Sequence, residues 1–124
     1  MAFSVAFIEK RTYLHAVATG DNTKEDVMGY LRDVLRECVA RRCGRVLIEE
    51  QLVGPRLGPV DVFDIAAQGS TEAGGVMLAI AYVDVNAVEE APMRLAEDVA
   101  VNRGLPVRIF ATVADAEAWL EVLG

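Results

Sequence analysis

Two cysteines and one histidine are all that this 124-residue sequence offers of the residue types that most often hold transition metals. Cys38 and Cys43 lie five positions apart at a predicted helix end, which fits neither a paired CxxC nor a zinc-ligand set. No metal and no cofactor is therefore expected. Cys38 falls on the apolar side of the helix and reads as a small core residue, while Cys43, beside Gly44, is expected to be partly exposed. His15 has no Ser, Cys or carboxylate in a recognisable arrangement around it and reads as a structural or edge-strand histidine. No catalytic motif is visible, and the chain is not expected to be an enzyme.

Positive charge is scarce too. Twelve Lys and Arg against 19 Asp and Glu give a formal net charge of −7, which opposes nucleic acid or an anionic membrane as the main partner. The one basic cluster, Arg36, Arg41, Arg42 and Arg45, falls in or near a helix end, where cations oppose the negative pole of the macrodipole. No run approaches the roughly 18 apolar residues of a membrane span, and no leader pattern opens the sequence. A cytoplasmic protein is expected. Linkers, repeats and low-complexity tracts are missing, so residues 1–124 read as one domain, long enough to bury roughly two thirds of its unfolded surface.

What is present is a strongly patterned apolar content, 53% of residues. Val46-Leu47-Ile48, within Arg45 to Glu50, is a continuous apolar run suited to a strand buried on both faces of a parallel sheet, and it reads as the central strand. Before it, Ala2–Ile8 and Thr12–Thr19 predict a β-hairpin. Thr23 with Asp26 has capping-box spacing. The helix that follows carries Val27, Met28, Leu31, Val34, Leu35, Cys38 and Val39 as one stripe, with Gly44 as its left-handed stop. After the central strand, the loop Gln51 to Pro59 leads into a short helix, Val60 to about Gln68, with Phe63, Ala66 and Ala67 on one side. Gly69 to Gly75 reads as a break.

Val76–Val83 predicts a second interior strand. Ala87 to about Asn102 predicts a helix through Met93, Leu95, Ala96 and Val99, its regular part delayed by Pro92. Val107–Ala111 is the last strand, and Thr112 with Asp115 caps a final helix carrying Ala116, Trp119, Leu120 and Leu123, with Trp119 as a core anchor. The order implies an α/β fold. It has a mixed, mostly parallel sheet of about five strands, an antiparallel opening hairpin and about four helices.

The segment Asn102 to Phe110, followed by Ala116-Glu117-Ala118-Trp119-Leu120, resembles the closing strand and Ala-Trp-Leu helix of SpoIIAA-like proteins of the STAS fold, which include bacterial anti-sigma factor antagonists. The resemblance extends through the element order over nearly the whole chain and implies a regulatory, protein-binding role. Those antagonists have a phosphorylatable serine in an Asp-Ser-Ser-Gly-like turn after the central strand. Here Glu49 to Gln68 contains no Ser or Thr, and Ser70 and Thr71 fall after the predicted helix. Asp61, near the helix start, supplies a fixed negative charge that the dipole accommodates.

Three functions compete. The first is a non-enzymatic regulatory or protein-interaction module whose surface comprises Val53, Arg56, Leu57, Asp61 and Phe63, binding a protein or a second copy of itself as a homodimer. The second is a binding domain for a small apolar or lipid-like ligand between sheet and helices, as related folds provide. The third is an enzyme drawing on Glu49, Glu50, Arg56, Asp61 and Asp64. Adjacent Glu49 and Glu50 point to opposite faces of a strand and do not share one site.

Overall fold

The computed structural model describes residues 3–55, 57–73, 77–84 and 91–123, apart from the side chains of residues 91–93, 95, 96 and 123. The expected start of the third helix at Ala87, the first strand residue Val76, the surface candidate Arg56 and the side chains of Met93, Leu95, Ala96 and Leu123 lie outside the described residues. Among the described residues nine elements follow the predicted order: β1 (Phe3–Glu9), β2 (Leu14–Asp21), α1 (Lys24–Arg41), β3 (Arg45–Val53), α2 (Pro59–Ala73), β4 (Ala79–Asp84), α3 (Ala91–Asn102), β5 (Val107–Phe110) and α4 (Val113–Leu123). The five strands form one sheet in the order β1-β2-β3-β4-β5, with β3 at its centre. Only β1 runs antiparallel to its neighbour.

Strand alternation divides the core into two layers. One face carries Leu14, Ala16 and Ala18 of β2, Val46, Ile48 and Leu52 of β3, and Ile80 of β4, packed with Val27, Tyr30, Val34 and Cys38 of α1. The other carries Leu47, Ala79, Ala81 and Val83 against Ala116 and Leu120 of α4. Tyr13 joins this second layer and donates from its hydroxyl to Glu117 Oε2 at 2.7 Å, fastening the hairpin end to α4. Trp119 is partly buried there, its ring 5.5 Å from that of Phe110.

Helix starts follow the capping residues. Thr23 Oγ1 accepts from the Asp26 amide at 3.1 Å, and Thr112 Oγ1 from the Asp115 amide at 3.2 Å. The Thr23 amide turns back to the Asp21 carbonyl at 2.9 Å. Helix ends differ from expectation. The left-handed residue closing α1 is Arg42, at φ 53°, with the Cys43 amide bonded to Cys38 O and the Arg42 amide to Val39 O. Gly44 serves another purpose: a Cβ there would stand 2.9 Å from Leu78 Cγ, and its carbonyl accepts from the Leu78 and Ala79 amides at 2.7 and 3.1 Å. This crossing also explains why β4 begins at Ala79. The Met77 amide still bonds back to Ala73 O, at the end of α2.

The second helix is the largest departure, running through Ala73 where a break after Gln68 is expected. Gly69 is carried within it. Ser70 Oγ donates to Ala66 O at 2.6 Å and Thr71 Oγ1 to Ala67 O at 3.1 Å, so both hydroxyls bond within the helix. Arg32 of α1 pairs with Glu72 in its last turn.

Candidate functional site

A cavity of about 180 Å³ lies between the first face of the sheet and helices α1, α2 and α3. Aliphatic side chains dominate its wall: Val46 and Ile48 from β3, Ile80 from β4, Val27 and Val34 from α1, and Ile65 from α2. α2 forms the roof because its cavity-side residues Val62, Ile65, Ala66, Gly69 and Ala73 recur at helical spacing and are mostly small. The roof packs chiefly on α1 and α3 rather than on the strands. Its polar ties to α1 are two surface ion pairs, Lys24–Asp64 at 3.0 Å and Arg32–Glu72 at 3.4 Å.

One end of this cavity is polar. Glu50 and Tyr82 contribute to its wall, and Tyr30 stands behind them with no exposed surface. The register of β3 on β4 pairs Ile48 with Tyr82 and Glu50 with Asp84, so Glu50 and Tyr82 share a face one pleat apart. Both phenols donate to Glu50 Oε2, and their oxygens are 2.9 Å from each other. Glu50 itself is 5% exposed, and a carboxylate that deep is tolerated when strong donors satisfy it. Burial pushes both phenols well above the usual tyrosine range, and the Glu50 charge pushes further in the same direction. They remain protonated donors at any physiological pH. Asn22, Glu72 and Glu97 complete the polar lining. Glu97 accepts from the Ile109 amide at 2.7 Å, and Asn22 Nδ2 donates to Pro55 O at 3.1 Å, pinning the loop that leads to α2.

Across the sheet, His15 is not isolated. Its Nε2 is 2.9 Å from Glu49 Oε1, and Gln51 Nε2 donates to the other Glu49 oxygen. β2 is an interior strand, so of the two readings of His15, structural or edge-strand, the edge one does not hold. The sequence shows no carboxylate near it because the partner arrives through the β2–β3 register, which sets Val17 beside Glu49. Glu49 and Glu50 point to opposite faces, as adjacent strand residues must, and Asp64 is engaged by Lys24.

The residues of the expected interaction surface scatter. Val53 (62% exposed) and Phe63 (44%) are open to solvent, joined by Val60 (73%). Asp61 is half-buried in the first turn of α2. Leu57 turns inward and lines the cavity. Ser70, expected beyond the helix, is buried within it. The side chains that sequence reasoning passes over are Tyr30 and Tyr82. A signal exists for both. Tyr30 stands three residues after Val27 and four before Val34, on the apolar stripe of α1, and Tyr82 is the one hydroxyl in the run Ala79–Val83, beside the strand that carries Glu50.

Among the described residues no group of three His, Cys, Asp or Glu is placed to hold a metal ion, and no helix is long and apolar enough to cross a membrane. Arg41 pairs with Glu37 and Glu9, and Arg36 with Asp33, so these members of the basic cluster serve local ion pairs. No protein-family model matches the sequence, and no curated protein matches it. Among solved structures, the chain is similar to an uncharacterised protein of the DUF3478 family with a SpoIIAA-like fold from Shewanella loihica PV-4. The identity is 20% and the TM-score 0.56, with 95% of this chain and 93% of that chain covered. With its antiparallel opening strand, parallel β2 to β5 and four helices, the chain has the SpoIIAA-like fold.

Proposed function

We propose that this protein is a binding domain for a small apolar or amphipathic molecule, held between the sheet and α2 with its polar end toward Glu50 and Tyr82. The observation that carries this reading is the cavity itself, about 180 Å³ and walled by aliphatic side chains. An apolar void of roughly 150 Å³ is enough to take up a benzene-sized molecule. The space is partly open to solvent, so an apolar guest displaces water from its aliphatic wall. The likeness to the Shewanella loihica protein bears on the fold alone.

Gly69 provides the test. It lines the cavity, and a Cβ built on it meets nothing within 4 Å. Gly69→Leu fills the space and replaces a poor helix former, so stability rises by about 1 kcal/mol. Calorimetric titration with n-hexanol is expected to show saturable binding to the native protein and at least a tenfold loss in Gly69→Leu. Equal binding by a folded variant contradicts the reading.

A protein-contact role is the second reading, favoured by the exposed side chains of Val53, Val60 and Phe63 around the connection from β3 to α2. A second copy of the chain or another protein covers these residues in that case.

A further inference from the structure

We infer that β1 is a pairing edge for a second copy of this chain, the two β1 strands joining antiparallel about a two-fold axis at Ala6. The register of β1 on β2 runs unbroken from Phe3↔Gly20 to Glu9↔Leu14, so no bulge turns this edge of the sheet away. At the hairpin tip the Lys10 amide donates to Tyr13 O at 3.0 Å. Alternation along an antiparallel ladder then commits the backbone groups of Ser4, Ala6 and Ile8 to β2, and turns the N–H and C=O groups of Phe3, Val5, Phe7 and Glu9 outward.

The two edges of the sheet are built differently. β5 is four residues long, and its Ile109 amide already donates to Glu97 Oε2 at 2.7 Å. β1 is seven residues long and carries neither Pro nor Lys, the residues that commonly guard an edge. Its one charge, Glu9, is drawn aside by Arg41 at 3.5 Å. Gly29 of α1 seats the strand from behind, since a Cβ there would stand 2.8 Å from Phe3 Cε2. Centring the pair on Ala6 sets Val5 opposite the second copy's Phe7 and Phe3 opposite its Glu9, all residues with outward backbone groups. Phe3, Val5 and Phe7, partly buried against the core, are covered further by the same residues of the second copy.

Charge selects the antiparallel direction. The hairpin tip carries Lys10 and Arg11, the other end of the hairpin is flanked by Asp21 and Glu25, and these side chains are exposed. Antiparallel pairing lays the basic tip of one copy beside the acidic end of the other, a local attraction set against the net charge of −7 on each chain.

Light scattering over a dilution series of the native protein tests the pairing. The average mass is expected to climb from 13.4 kDa toward twice that value as the concentration approaches about 1 mM, where even a weak contact is populated. Ala6 is exposed and lies on the axis, so Ala6→Lys and Ala6→Glu each set like charges face to face. Each variant alone is expected to weaken association by about fivefold with native circular dichroism, and an equal mixture of the two to recover it. A native protein that keeps the single-chain mass up to that concentration overturns the inference without recourse to any variant. Association that both folded variants leave intact, or lose without recovery on mixing, overturns the pairing at Ala6.

Discussion

Tyr30 is the residue on which the polar end of the cavity depends. Its hydroxyl is fully buried, donates to Glu50 and lies 2.9 Å from the Tyr82 oxygen. The aromatic ring fills space between α1 and the sheet, so removing the oxygen alone leaves the packing intact. Hydrogen bonds to charged groups contribute about 1.5–3 kcal/mol, and a buried carboxylate that loses one bears the desolvation cost. Tyr30→Phe is therefore expected to lower the unfolding free energy by about 1.5–3 kcal/mol in urea denaturation. A change below about 0.5 kcal/mol, the level of an ordinary surface substitution, would show that Glu50 does not depend on the Tyr30 bond. The same residue illustrates what single positions conceal. Tyr30, Glu50 and Tyr82 lie on three elements, and only the α1 packing angle and the β3–β4 register bring them together. His15 and Glu49 repeat the lesson on the opposite face.

At the scale of elements, local signals were sufficient wherever the residues decide locally. Thr23 and Thr112 cap their helices, Pro59 opens α2, and the apolar run at Val46 occupies the centre of the sheet. Errors collect where a tertiary contact overrides a local preference. Gly69 reads as a breaker, yet α2 continues past it as Ile65, Ser70 and Ala73 are buried where the helix packs on α1 and α3. Gly44 reads as a helix stop, yet its lack of a side chain answers to the approach of Leu78. A ligand space between sheet and helices was expected only by analogy with related folds, since a gap between α2 and the sheet is a pattern in neither.

α2 roofs that space. Its polar ties to α1, Lys24–Asp64 and Arg32–Glu72, are surface pairs of the kind that contribute little. Replacing both Lys24 and Arg32 by Ala is expected to speed release of bound n-hexanol by about two- to fivefold, measured by line-shape analysis of resolved methyl signals, with circular dichroism unchanged. Unaltered release in a folded variant would place the route of entry elsewhere than beneath α2.

The whole molecule responds to high pH in one direction. All three tyrosines are held above the usual range: Tyr30 and Tyr82 by burial and then the charge of Glu50, Tyr13 by burial and then its bond to Glu117. Burial also pushes the Cys38 thiol up to about 12. Each group keeps its proton in the folded chain after the unfolded chain has lost it, so each contributes stability that is complete below the ordinary values of 9.0 for the thiol and 10.0 for the phenols. That contribution is lost as pH climbs toward the folded values, by up to about 1.4 kcal/mol per pH unit for each group. Tyrosinate absorbance is thus expected to appear only together with loss of native circular dichroism. Ionisation near pH 10 in a chain that keeps its native spectrum would mean that the phenols are not buried as described.

The same global view leaves two surfaces in competition, the interior cavity and the exposed trio of Val53, Val60 and Phe63. They are told apart by mapping a guest onto the methyl resonances of the native protein during titration with n-hexanol. The account predicts saturable shifts concentrated at Val46, Ile48, Ile65 and Ile80, the aliphatic wall of the cavity. Shifts confined to Val53 and Val60, or a response that never saturates, would contradict a ligand-binding role for the cavity and favour the protein-contact reading.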